Sequence, residues 1–273
     1  MTTKLIFIYV LSLLPAIIPA DQPLINSKGQ TIKQRFNTPK SYERVNAAPG
    51  SFGEYLQALK LKPNGSDVLL YDGSKKSNQV HEAVLTIDVG KADLQQCADA
   101  VMRLRAEYLF AGKAYSKIHF NFTNGFNASY DKWALGYRVK VKGNNVSWYK
   151  TNDSSHSYAS FRKYLDVVFM YAGTLSLSKK LKKIDRSAVQ TGDVLIHGGS
   201  PGHAVIVVDV AKDASGKKIV MIAQSYMPAQ EIHILKNPDN SRISPWYELE
   251  TDGNEIRTPE WVFSATDWKR FVD

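Results

Sequence analysis

Hydrophobic residues recur along this chain with two different periods, and the periods switch irregularly. Helical spacing is clearest at Leu94, Ala98, Val101, Leu104 and Leu109, which predicts an apolar stripe on a helix capped by Asp93 and running to about Phe110. A second long helix is predicted to open at Ser157 or Ser160 and to run through Phe161, Leu165, Val168 and Phe169 to Tyr171. Ser51-Phe52-Gly53-Glu54 reads as a short helix start, with Ser51 as the cap and Glu54 placed for a capping box. Alternating or β-branched runs predict strands at 67–71, closed by Asp72-Gly73, at 83–89, ended by Gly90, and at 118–122. A hairpin is predicted from 137–141 and 146–149 around Gly143-Asn144-Asn145. Further strands are expected around Ile196 and over 203–210, 219–223 and 231–235. The remainder carries Pro238, Pro245 and Pro259 without a clear period, and is expected to be irregular but packed. Helices and strands mix without a regular β-α alternation, which points to an α+β fold rather than a doubly wound sheet.

The N-terminus adds an address. Lys4 precedes the apolar run Leu5 to Ile18, and Pro19-Ala20-Asp21 offers a small residue at a cut after Ala20. The run is interrupted by Pro15 and is shorter than a membrane span requires, so residues 1–20 are read as a signal peptide. The expectation is an exported protein, periplasmic or secreted, with no integral membrane segment after signal removal. Residues 21–75 are read as an N-terminal arm packing on a single α+β domain of residues 76–273. Hydrophobic residues make up 44% of the chain, enough to fill a core of that size without disulfides. The formal charge of +9 would attract polyanions. Export argues against nucleic acid as a partner, and the Lys179-Lys180-Leu181-Lys182-Lys183 run suits a helix C-terminus.

Export makes the single cysteine, Cys97, conspicuous, because it has no partner for an internal disulfide. It lies on the apolar stripe in the first turn of its helix, where free N–H groups are expected to lower a thiol's pKa. Downstream, His203 opens an apolar strand and Gln224 ends the next one. A cysteine nucleophile needs a neighbouring imidazole as base and a third polar group to fix the imidazole tautomer. Cys97, His203 and Gln224 supply those types in that order. Asp209 competes for the third role, but six residues of strand would carry it about 20 Å from His203. Backbone N–H groups at the helix start would meet an oxyanion, with the Gln95 or Gln96 amide as an added donor. Gly202, in Gly198-Gly199-Ser200-Pro201-Gly202, would let backbone come close to a substrate. Each residue also has a plainer reading: Cys97 as a small core hydrophobe, His203 as a core histidine, Gln224 as a bond to strand-end backbone. No metal-ligand spacing and no phosphate-binding loop is present, so no metal and no cofactor is expected.

Two resemblances enter at these residues. The stretches Asp93-Leu94-Gln95-Gln96-Cys97-Ala98-Asp99, Gly198-Gly199-Ser200-Pro201-Gly202-His203-Ala204-Val205 and Ala223-Gln224-Ser225-Tyr226-Met227-Pro228 identify the chain as a member of a bacterial family known only as domain of unknown function 4846. The order of a cysteine at a helix start, Gly192-Asp193, then Gly202-His203 on a strand is similar to the NlpC/P60 group of papain-like peptidases and amidases. That similarity implies a papain-like α+β fold with a mixed, mainly antiparallel sheet, a helix carrying Cys97, and an aromatic-rich insertion. It implies Cys97 as nucleophile, His203 as base and Gln224 as third residue, acting on a peptide or cell-wall substrate. The departures are Gln96-Cys97-Ala98, where that group has Asp-Cys-Ser, and a long gap between Cys97 and Gly192. The gap holds Trp133, Tyr137, Trp148, Tyr149 and Tyr158, with Trp148 the candidate for a substrate groove and extra core the plainer reading. Two other functions stay open: a binding module for an envelope polymer without catalysis, and transglutaminase-like acyl transfer.

Overall fold

The computed structural model of the protein describes residues 22–151, 153–249 and 255–272, and the expected signal peptide, 1–20, lies outside them. Its helices are α1 (Ile32–Arg35), α2 (Phe52–Gln57), α3 (Cys97–Ala111), α4 (Tyr130–Ala134), α5 (Tyr158–Tyr171) and α6 (Thr174–Lys180). The first seven strands are β1 (Tyr42–Arg44), β2 (His81–Val84), β3 (His119–Asn121), β4 (Asn127–Ser129), β5 (Tyr137–Lys142), β6 (Asn145–Lys150) and β7 (Lys182–Lys183). Then come β8 (Val194–His197), β9 (His203–Asp213), β10 (Lys218–Gln224), β11 (His233–Leu235), β12 (Trp246–Glu248), β13 (Glu255–Arg257), β14 (Val262–Ser264) and β15 (Trp268–Arg270).

One sheet organises these elements. Its order is β2-β11-β10-β9-β8-β15-β7, with β1 also pairing β9 and β12 also pairing β10. Every described pairing is antiparallel, so the fold is α+β with antiparallel sheets. The unbroken Ala-Val-Ile run of β9 follows from cover on both faces. Ala204, Ile206, Val208, Ile219, Met221 and Ala223 face a core shared with Leu56 of α2 and Val101 and Leu104 of α3. Val205, Val207, Val210, Val220 and Ile222 face a second core closed by Tyr247, Phe263 and Trp268.

The C-terminal stretch expected to be irregular instead supplies β12 to β15. Each is three residues long, too short for a period to register in sequence. The strand expected at 67–71 is absent; only isolated bridges, Leu69 with Lys75 and Leu70 with Gln230, form there. Of the insertion's aromatics named from sequence, only Trp133 is buried, while Tyr149 and Tyr158 are 47% and 50% exposed. Tyr130, Phe161 and Tyr164 are also buried in the insertion, and Trp148 packs 5.6 Å from Phe126 beneath Lys132.

Candidate active site

Helix α3 begins three residues later than its apolar stripe suggests, because Asp93 is not its cap. Gln96 holds the N-cap position and Cys97 is the first helical residue. Asp93 instead accepts from Gln96 Nε2 at 3.0 Å and from the Ala229 N–H at 2.6 Å, fastening the helix start to the segment after β10. Ser225 Oγ, 2.9 Å from Gln95 O and 2.7 Å from Gln230 O, adds a second tie. Asp99 Oδ2 accepts the Gln96 N–H at 3.0 Å. Residues 97–106 are buried on every side of the helix, Arg103 and Arg105 included. Arg103 is satisfied by Glu107 at 2.6 Å, Gln95 Oε1 at 3.0 Å and Tyr158 at 3.1 Å.

Cys97 is 9% exposed. Burial pushes its thiol up to about 11 and Asp99 adds to the rise, while hydrogen bonds from the N–H groups of Ala98, Ala204 and Cys97 itself pull the other way. The lowered thiol pKa expected at a helix start is therefore reversed: desolvation outweighs the helix N-terminus. The bond from Ala204 sets the sulfur against the opening of β9, one residue from His203.

His203 is 1% exposed, and its Nε2 lies 3.0 Å from Gln224 Oε1. The rings of Tyr226, Trp261 and Phe263 surround the imidazole at centroid separations of 5.0, 5.5 and 5.7 Å. Burial pushes it down to about 4, with Gln224 and Glu260 opposing the shift, so at neutral pH the ring is uncharged. Tyr226 borders both groups; burial, Glu260 and Cys97 together hold its phenol above the usual value. Thiol and imidazole are thus both neutral at rest, and among the described residues no hydrogen bond joins them directly.

The remaining candidates fall into two groups. Asp209 pairs with Arg44 at 2.7 Å and accepts from Gln57 at 2.7 Å, tying β9 to β1 and α2. Asp193 is held by Arg270 at 2.6 and 2.7 Å. Gln96 spends its amide on Asp93, whereas Gln95 Nε2 is buried with no hydrogen-bond partner among the described residues. Gly202 is required by its own loop: a Cβ there would meet Thr174 Oγ1 at 2.5 Å, Gly199 O at 2.6 Å and His197 O at 2.8 Å. Trp148 pairs with Val139 across the β5–β6 hairpin and touches Phe126 and Lys132, and none of these contacts reaches Cys97, His203 or Gln224. Cavities of about 110 to 720 Å3 open elsewhere on the described surface, and none of them is lined by Cys97, His203 or Gln224.

Three polar residues of the site carry no clear signal in the sequence. Glu260 accepts from Gln224 Nε2 at 2.6 Å and pairs with Lys76 at 2.6 Å, and His233 Nε2 lies 3.4 Å from Gln224 Nε2. His233 alternates with Ile232 and Ile234, a pattern that reads as the solvent face of a half-buried strand, so its burial is not marked in the sequence. Lys76 and Glu260 lie on segments with no period.

No curated protein and no solved structure matches the chain. A family model, described as a domain of unknown function (4846), matches residues 32–270 and so spans the sheet, α3 and every residue of the site. The chain belongs to that family, DUF4846.

Proposed function

We propose that this protein is an exported cysteine hydrolase of papain-like architecture that cleaves a peptide or amide bond, with the bacterial cell envelope as its place of action. The observation that carries the reading is the His203–Gln224 hydrogen bond at the opening of β9, the strand whose Ala204 N–H meets the Cys97 sulfur. Gln224 presents its oxygen to Nε2, so Nε2 holds the proton and Nδ1 keeps a lone pair. That tautomer is the one a general base needs. Cys97 Sγ would attack the amide carbon as its proton passes to His203 Nδ1. The imidazolium formed would be steadied by Gln224 Oε1. Backbone N–H groups at the start of α3 would take up the oxyanion, with Gln95 Nε2 as an added donor. The proton on Nδ1 then goes to the leaving nitrogen, leaving a thioester. Water, deprotonated by the same imidazole, releases the acid and restores the thiol.

The low exposure of Cys97 requires Tyr226 and its segment to move before substrate enters. Met227, 56% exposed beside Tyr226, belongs to that segment. The same low exposure, with the thiol pushed up, favours the second reading: a binding module on this fold, using the basic and aromatic insertion. Peptide-based ketone electrophiles separate the two. The hydrolase reading expects stoichiometric adducts at Cys97 in the folded protein, lost in His203→Ala, by intact mass. Labelling that needs denaturant, or that His203→Ala leaves unchanged, rejects it. Incorporation of an added amine in place of water would indicate acyl transfer.

A further inference from the structure

We infer that Glu260, anchored by Lys76, is a positioning residue that fixes His203 in a single tautomer by setting which way the Gln224 amide faces. This rests on the hydrolase reading only for its consequence at Cys97. The argument is one of donors and acceptors. Gln224 is 1% exposed, ends β10 on the face opposite α3, and lies between His203 and His233. Its amide could face either way. Glu260 is an ion-pair partner of Lys76, and a carboxylate only accepts. The contact of 2.6 Å to Glu260 Oε2 must therefore come from Gln224 Nε2. His233 agrees. Its Nδ1 lies 2.8 Å from the Glu231 carbonyl, which also only accepts, so Nδ1 holds that ring's proton and Nε2 is free to receive the second amide N–H. Only the Gln224 oxygen is left for His203, at 3.0 Å.

The reversed amide would aim N–H at His203, move that ring's proton to Nδ1 and remove the lone pair that a general base needs there. It would also set two acceptors, Gln224 Oε1 and Glu260 Oε2, against each other in a largely buried site, which is costly. The connection between β13 and β14 is built to hold Glu260 still. Thr258 Oγ1 lies 2.8 Å from Trp261 O and accepts the Trp261 N–H at 3.1 Å. Trp261, the last residue of that connection, and Phe263 on β14 also flank the His203 ring.

The test is 15N NMR of histidine-labelled protein near pH 7, read together with the rate of Cys97 alkylation. Wild type is expected to show His203 as the Nε2–H tautomer. Glu260→Ala is expected to lose that single tautomer and to slow alkylation at least tenfold. Glu260→Gln, whose amide oxygen can still accept from Gln224, is expected to restore both. A wild-type spectrum with the proton on Nδ1 overturns the inference without any variant. So does a folded Glu260→Ala protein that keeps the Nε2–H tautomer. If the tautomer responds as expected but His203→Ala alkylates at the wild-type rate, the positioning role stands and the hydrolase reading falls.

Discussion

At the scale of single residues, burial decides more than local sequence does. Cys97 has the helix-start position that lowers a thiol's pKa, yet it lies so far inside that its thiol is pushed up to about 11. Asp99, two residues on, is raised to about 8 by burial, with the Gln96 N–H as the one opposing bond. Its folded pKa lies above the unfolded value, so the stability it confers is complete below about pH 4 and is lost as pH rises toward 8. Asp99→Asn should remove that loss. The melting temperature of the variant should gain on wild type between pH 5 and pH 8.5, and a constant difference would show that Asp99 is ionised throughout. Gly202 makes a second residue-scale claim. Gly202→Ala forces a Cβ against Thr174 and two carbonyl oxygens and should cost about 1–3 kcal/mol in thermal or denaturant unfolding. A neutral outcome would mean the loop relaxes freely.

At the scale of elements, the site depends on how α3 is fastened to the sheet. Its first helical residue is the nucleophile candidate, and Asp93 joins that start to Ala229 beyond the end of β10. Asp93→Ala should cost about 1 kcal/mol and slow alkylation of Cys97 as the helix start loosens. Lost stability with an unchanged alkylation rate would confine Asp93 to a structural role. The elements also show what could be read from sequence. The long helices, the hairpin of β5 and β6, and β9 and β10 are long enough for their periods to register. The juxtaposition of His203 and Gln224 was readable too, because one sits at the start of a strand and the other at the end of the strand that pairs with it. Glu260 was not readable. It sits between two three-residue strands, and nothing local distinguishes its carboxylate from a solvated one. The start of α3 was misplaced because Asp93 has the side chain of a cap and uses it on a distant backbone N–H.

At the scale of the whole molecule, the sheet divides the interior into two cores, and the site lies where they meet. Cys97 opens α3, whose Ala98 and Val101 pack in the helix-side core, whereas His203 and Gln224 face the other, with Phe263 against His203 and His233 beside Gln224. Burial holds His203 at about 4 and His233 at about 3. Both lie below the unfolded value of about 6.5, so the unfolded chain binds more protons beneath that pH. The stability of the neutral rings is complete above about pH 6.5 and is lost as pH falls toward 4. Between those limits these two, joined by His81 and His119, which burial also lowers, outweigh the opposing protons of the raised carboxylates Asp99, Asp193 and Asp209, and unfolding free energy should fall on acidification. A stability profile flat from pH 6.5 to 4 would contradict the buried neutral pair.

The most direct test is the pH dependence of Cys97 alkylation by iodoacetamide, in wild type and in His203→Ala. If the imidazole serves the thiol, wild type reacts near pH 7 at least tenfold faster than the variant, and its rate falls away as His203 is protonated toward pH 4. Superimposable profiles, each rising once with a midpoint near 11, would mean an isolated buried thiol and would contradict the account.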